Sequence, residues 1–372
     1  MIILIVVVIS PMLVIAFGEE PAASHADSFS QGGLLKANVS TVKDTQLVAN
    51  PDVPLPKNQN VLWCGTLQLA WNKAIDLVGE KLHFSNQPPV VELLNQEDFT
   101  SADLNAGSYV ALADFERNNV EDEIRAALAK TFHGAASPEL IPPRPSHFGP
   151  DDFVAYAYLY KNLSFPQPFE DNPSLDFGKT KVKNFGFVTN LDRLPDGLIE
   201  QVTICDYKSP DDFIIKLKTK SPDDELILAK VPPASTLQAT MDNVLQREKM
   251  NKPVTPGSGD TLAVPKLNFD LRGDFPALEG LVLLPSPAAH VKNLKTKSVK
   301  QLVRFQLNEK GAILKSEAVI TMRASIVFER REPHVMIFDR PFLILMKRAN
   351  SDHPYFALWV GNASLLVGTT PK

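Results

Sequence analysis

Apolar residues recur first at helical spacing. Leu67, Trp71, Ile75, Val78 and Leu82 fall on one face of the stretch from Trp63 to Phe84, which predicts an amphipathic helix packed on a core. A second helix is predicted after Asn119, which can cap it. Glu121, Asp122 and Glu123 fill its first turn, where carboxylates favour the positive end of the helix dipole. Ile124, Ala127, Leu128 and Phe132 form its apolar stripe, and Gly134 stops it. Thr236 to Met250 is the third helix. Elsewhere the pattern is that of strands bounded by Pro, Asp or Gly. These cover Ser108 to Ala113, Asp152 to Leu163, Lys181 to Asn190, Glu200 to Tyr207, Asp212 to Lys220 and Glu225 to Val231. Leu262 to Leu271, Leu302 to Asn308, Pro333 to Arg348 and Tyr355 to Val367 continue them. Pro138 to Pro150 reads as a loop and Pro253 to Gly259 as a turn. Helices come early and strands late, with no βαβ alternation and no internal repeat, so the fold class is α+β.

The most regular alternation starts at Ala312. Ala312, Leu314, Ser316, Ala318, Ile320, Met322, Ala324, Ile326 and Phe328 occupy the even positions, and all but Ser316 are apolar. Lys315, Glu317, Thr321, Arg323, Ser325 and Glu329 lie on the odd side, with Val319 and Val327 as exceptions. The period of two persists over seventeen residues, beyond the length of an average strand. A segment that stays solvated has no reason to keep such a pattern. It is built to enter a sheet or already lies in one.

The ends set the context. Ile2 to Phe17 is almost unbroken apolar sequence, interrupted by Ser10 and Pro11, and Ala16-Phe17-Gly18 offers small residues at signal-peptidase spacing. The run is short for a membrane span and fits a secretory signal over residues 1–18, although no Lys or Arg precedes it. An N-terminal anchor is the alternative. Residues 19–58 are polar and dotted with Pro51, Pro54 and Pro56, and are expected to form a linker before a domain over residues 59–368. The chain is expected to be secreted and monomeric.

Composition narrows the function. Hydrophobic residues make up 44% of the 372 and charged residues 22%, ordinary for a chain with a sizeable core. Thirty prolines against eighteen glycines suit short strands and fixed turns. A net charge of −5 gives no case for nucleic acid. The four lysines between Lys292 and Lys300 read as a solvated edge, with a polyanion site as the lesser reading. Cys64 and Cys205 can pair in an oxidising compartment or stand as buried small hydrophobes.

No nucleophile elbow, phosphate loop, dinucleotide fingerprint, paired-histidine metal motif or calcium loop occurs. Gly257-Ser258-Gly259-Asp260 lacks the strand–turn–helix context of a phosphate site. Asp151-Asp152, Asp211-Asp212 and Asp223-Asp224 each sit beside a proline and read as turn residues. No catalytic residue, metal or cofactor is expected. Asn38-Val39-Ser40, Asn162-Leu163-Ser164 and Asn362-Ala363-Ser364 match the glycosylation acceptor pattern.

Four stretches together resemble the serpins. Phe338-Asp339-Arg340-Pro341-Phe342-Leu343 has the F-x-R-P-F-L form that follows the serpin reactive loop. Tyr355 to Asn362 resembles the closing strand, with Phe356, Val360 and Asn362 in register and Leu358 and Gly361 departing from it. Phe305 to Ala312 is similar to the strand ending in the serpin hinge, with Glu309, Lys310, Gly311 and Ala312 as the hinge. Tyr156 to Asn162, through Phe169, is similar to the strand of pattern N-A-x-Y-F-K-G, with Tyr156 in place of the usual Asn.

The resemblance runs collinearly from about residue 60 to 367. It implies a large central mixed sheet, two smaller sheets and surrounding helices. The stretch before the Tyr156 strand is short, which implies that some N-terminal helices of the family are missing. It also implies an exposed loop between Gly311 and Phe338. In inhibitory serpins a serine or cysteine protease cleaves that loop, the loop enters the central sheet, and the trapped protease is distorted. The bond region then falls near Ser325 and Ile326, with Arg323, Arg330 and Arg331 close by to attract a trypsin-like protease. These arginines equally suit the polar face of a strand or a turn before Pro333. Inhibitory hinges are runs of small residues. Ile313, Leu314, Lys315 and Glu317 stand here instead and are expected to slow entry. The alternative is a non-inhibitory binding or structural protein whose segment is already in the sheet.

Overall fold

Leucine and β-branched runs too short for helices dominate the second half of the chain, and they set the architecture. The structure is a computed structural model that describes residues 33–134, 136–141, 149–188, 197–285, 294–312 and 332–369. In chain order the elements are β1 (Leu35–Asn38), β2 (Thr45–Val48), β3 (Asn60–Cys64), α1 (Thr66–Val78), β4 (Phe84–Ser85), α2 (Pro89–Leu94), β5 (Tyr109–Phe115), α3 (Val120–Thr131), β6 (Phe153–Leu159) and β7 (Leu163–Ser164). There follow β8 (Glu170–Phe177), β9 (Thr180–Val188), β10 (Val202–Ser209), β11 (Asp212–Leu217), β12 (Asp224–Lys230), α4 (Leu237–Met250), β13 (Thr261–Pro265) and β14 (Leu267–Asp274). The last are β15 (Val282–Leu283), β16 (Lys300–Asn308), β17 (Gly311–Ala312), β18 (Val335–Ile337), β19 (Phe342–Arg348) and β20 (Pro354–Val360).

Three sheets result. One has seven strands in the order β10-β11-β12-β19-β20-β3-β2, one has five in the order β1-β14-β16-β17-β7, and one has four in the order β18-β13-β9-β8. Two further pairs, β4–β15 and β5–β6, complete the described strands. The class is mixed α and β with few helices, as the pattern predicts. The main core draws buried residues from all three sheets. Leu343, Ile344 and Leu345 of β19 and Ala357 and Leu358 of β20 are fully buried, so these strands read as continuous apolar runs.

The first helix is shorter than its apolar stripe. Trp63 belongs to β3, and α1 starts after Gly65 and ends at Gly79, whose φ of 87° is the left-handed cap that glycine adopts without strain. Asn119 does precede α3, but it takes a φ of 61° and its side chain makes no capping bond.

The linker expected over residues 19–58 needs correction in its described part. β1 pairs parallel with β14, Leu35 against Phe269, and β2 pairs parallel with β3, Leu47 against Leu62. One stretch of chain thereby borders both large sheets. Residues 1–18, the expected signal, lie outside the described residues. Among the described residues no helix is long and apolar enough to cross a membrane. Cys64 and Cys205 are both buried and free, so they do not pair.

Candidate functional site

The expected hinge divides into a turn, Glu309 and Lys310, and a short strand, Gly311 and Ala312. After β16, Asn308 to Gly311 turns the chain back on itself, with Lys310 N donating to Asn308 Oδ1 at 2.9 Å. β17 then lies between two neighbours. Ala312 pairs antiparallel with Leu307 of β16 on one side and with Leu163 of β7 on the other, and Gly311 pairs with Asn308 and Ser164. Further bonds hold the turn, from Phe165 N to Lys310 O at 2.9 Å and from Phe169 N to Glu309 O at 2.8 Å.

Gly311 makes this fit possible. Its φ is 137°, and a Cβ there would stand 2.6 Å from Leu163 O and 2.6 Å from Ser164 Cα. Backbone atoms cannot give way as a flexible side chain can, so only glycine lets β7 come this close.

Glu309 is fixed by charge. Its Oε2 lies 2.5 Å from Lys266 Nζ, and Asp171 Oδ1 approaches the same ammonium at 3.0 Å. Burial alone would lower the Lys266 pKa. The bonds to Glu309 and Asp171 outweigh it and hold the group above its ordinary value.

The neighbours of β17 share one inside face. Val303, Phe305 and Leu307 of β16 point into the main core, and Phe305 stacks on Phe356 of β20 with ring centres 4.6 Å apart. Gln301 points the same way, donating to Cys64 O at 2.9 Å and Thr66 Oγ1 at 2.7 Å. On the other flank the odd-numbered residues of β6 pack on the core and on α1, while Val154, Tyr156 and Tyr158 pack under α3. Burial pushes the Tyr158 pKa up to about 12, aided by Tyr160 and Glu139 and partly offset by Arg304. Arg304 of β16 therefore lies within electrostatic reach of β6, across the line on which β17 begins.

Lys161, just after β6, ties this flank to the seven-stranded sheet. Its Nζ lies 2.8 Å from Asp224 Oδ1, with both side chains buried, and Tyr355 Oη donates to the same oxygen at 3.1 Å. Ser221 Oγ donates to Asp224 Oδ2 at 2.9 Å.

The far end of the segment is anchored as firmly. Phe338 and Phe342 are fully buried with ring centres 5.0 Å apart, and Phe338 lies edge-on to Phe213 at 5.0 Å. Asp339 Oδ1 accepts from buried Lys230 Nζ at 2.6 Å. Exposed Arg340 pairs with Asp211 Oδ2 at 3.3 Å, and Pro341 leads into β19. The Lys230 ammonium, with Arg340 beyond it, holds the Asp211 carboxyl below the usual range. The four stretches that carry the family resemblance thus lie on β6–β7, on β16–β17, on the link from β18 into β19, and on β20. The fold is serpin-like.

Among solved structures, Serpin48 of the insect Tenebrio molitor is 14% identical, with a TM-score of 0.38 over 66% of this chain and 65% of that one. Human thyroxine-binding globulin in complex with its hormone is 13% identical, with a TM-score of 0.46 over 82% of this chain and 92% of that one. A serpin from Schistosoma mansoni is 14% identical, with a TM-score of 0.40 over 66% and 64%. The chain spans just under two thirds of the Tenebrio and Schistosoma proteins, and the likeness concerns the fold alone. No protein-family model matches the chain, and no curated protein does.

Glu309 to Ala312, expected as the hinge, precede residues 313–331, and Phe338, Arg340, Pro341 and Phe342, expected as the post-loop strand, follow them. Arg323, Ser325, Ile326, Arg330 and Arg331 lie outside the described residues. The hinge's cation, Lys266, was not legible in the sequence. It is one lysine among many, 43 residues from Glu309, between Pro265 and Leu267. Lys161 and Tyr355 lie in stretches that carry the resemblance, and Asp224 in a pair read as turn residues, but nothing in the sequence shows that the three meet, because they come from distant strands. Among the described residues no group of three His, Cys, Asp or Glu could hold a metal.

Proposed function

We propose that this is an exported, non-catalytic serpin-fold protein related to protease inhibitors, working through residues 309–342. The supporting observation is the register of β16, β17 and β7. A strand continued in the register of the Leu307–Ala312 pair would set position 314 opposite Phe305, position 316 opposite Val303 and position 318 opposite Gln301. Phe305, Val303 and Gln301 all face the core. The apolar even positions of the sequence are those that such a strand would turn inward, and Lys315 and Glu317 are among those it would turn outward. A segment entering in this register buries Leu314 and Ile320, each worth about 1.5–3 kcal/mol if fully covered.

On this reading a serine or cysteine protease cuts in the region of Arg323, Ser325, Ile326, Arg330 and Arg331. The freed strand then enters between β16 and β6 from the end already seated at β17. Incubation with trypsin-like serine proteases and with cysteine proteases tests it. The expected product is a complex that survives SDS, together with a cleaved protein melting tens of degrees higher.

A second reading has its own support: Gly311 and Ala312, the second half of the expected hinge, already form a strand. In that case the protein binds or scaffolds without inhibiting, with its segment resident in the sheet, and Ile313, Leu314, Lys315 and Glu317 are no obstacle because nothing needs to move. Cleavage without an SDS-stable complex and without a rise in melting temperature would favour this second reading and sink the first.

A further inference from the structure

Of the three glycosylation triplets, the local turn is common to all and does not discriminate. Asn38 Oδ1 accepts from Ser40 N at 3.0 Å and Ser40 Oγ at 2.7 Å, and Asn162 Oδ1 accepts from Ser164 N at 3.1 Å and Ser164 Oγ at 2.7 Å. Asn362 Oδ1 accepts from Ser364 N at 2.8 Å. The amide nitrogens differ. Asn162 Nδ2 is buried beside Leu163, which pairs with β17, and it has no room for a sugar. Asn362 Nδ2 spends both protons inside the fold, on Asp44 O at 3.0 Å and Asn58 O at 2.9 Å, while its Oδ1 also accepts from fully buried Asn60. Asn38 is half-buried, and its Nδ2 donates to Asp274 Oδ2 at 3.3 Å at the protein surface, where the Asp274 side chain is 43% exposed.

From these differences we infer that Asn38 is the N-glycosylation acceptor of this chain, and that Asn162 and Asn362 are not. The inference rests on the export reading above, because the donor is a lipid-pyrophosphate-linked oligosaccharide of the secretory pathway. Asn38 Nδ2 bonds to the anomeric carbon, the anomeric C–O bond breaks, and the lipid pyrophosphate leaves with that electron pair. One amide proton passes to a base of the transferase. The product amide keeps a single N–H. That is enough for the one bond Asn38 makes and one too few for the two that Asn362 makes. Asn38 also ends β1, the outermost strand of the five-stranded sheet. A glycan there hinders another chain from adding to that edge.

The test expresses the full chain in cultured animal cells in two arms, one with its own N-terminus and one behind a leader of proven function. Total cell and medium protein is digested with peptide N-glycosidase in heavy-oxygen water, and the converted asparagines are mapped by mass spectrometry. Position 38 should carry the label and positions 162 and 362 should not. N38Q and S40A should lose the glycosidase-sensitive mobility shift, and Ser40→Thr should keep it. No label at 38 in the proven-leader arm, or label at 162 or 362 in folded protein, overturns the inference. Label at 38 in that arm, with the own-terminus chain retained in the cell, sinks export alone.

Discussion

Replacing Gly311 with alanine should unseat the hinge. The alanine Cβ would lie 2.6 Å from Leu163 O, 2.6 Å from Ser164 Cα and 3.0 Å from Phe165 N, all backbone atoms of the facing chain. Two costs add. Holding a side-chain-bearing residue at a φ of 137° costs about 1–3 kcal/mol. Relieving the overlap means withdrawing β17 from β7, which gives up the bond from Phe165 N to Lys310 O and its ladder neighbours at about 0.5–1.5 kcal/mol each. The sum, about 2–5 kcal/mol, corresponds to a fall in melting temperature of about 3–6 °C in a chain of 372 residues. Gly107 is the control: its φ is 85° but no atom lies within 4 Å of an added Cβ, so Gly107→Ala carries strain without collision and should fall less. Scanning calorimetry reads the temperatures. Limited trypsinolysis reads the site, with cleavage after Lys310 expected in the variant and not in the wild type. A melting temperature within about 1 °C of wild type, with Lys310 still protected, would refute the seating of β17.

Three further outcomes follow from the charges and thiols. Glu309→Gln should lower the melting temperature by the equivalent of about 1–3 kcal/mol, less than the loss of a whole buried pair because Asp171 still meets Lys266. Since the folded pKa of Lys266 is raised, its contribution is full below the ordinary value of 10.5 and is lost as pH rises through the folded value, so melts across pH 7–11 should show the wild-type advantage fading only at the alkaline end. Lys161→Met leaves the buried Asp224 carboxylate without its cation and should cost about 3–5 kcal/mol by urea unfolding, with much of it recovered in the K161M/D224L double variant. Burial pushes the Cys205 thiol up to about 12 and raises Cys64 as well, so at pH 8 neither should react with a disulfide reagent in the native protein and both should do so in denaturant; a single mole of disulfide would contradict the free cysteines.

Legibility followed burial. Strands with one face in the core carried alternation and were found within a few residues, as at β6, β9, β11 and β16. The edges were not. β1 and β2 are four residues each, half-buried, set in a stretch whose prolines suggest a linker. β8 contains Asp171 and Pro173 and buries only Phe177, because it is the outermost strand of its sheet. The site was legible at both ends through Glu309-Lys310-Gly311 and Phe338 to Leu343, where the sequence itself is unusual. The partners of those ends were not, because Lys266, Lys230 and Asp211 become special only when distant strands meet.

The register offers the sharpest separation of the two functional readings. Leu307, Ala312 and Leu163 are all essentially buried and share the core face, so β17 fixes the parity of everything after it. Deleting Ile313 shifts that parity by one without touching β17. In that register Lys315 and Glu317 would then take the inward positions opposite Phe305 and Val303, where an ion without a partner costs several kcal/mol. If the segment enters only after cleavage, the intact deletion protein should melt with the wild type, and only the rise that follows cleavage should vanish. If the segment is resident, the intact protein itself should melt lower. A deletion protein that is cleaved and then stabilised as fully as the wild type would overturn the register, and with it the common ground of both readings.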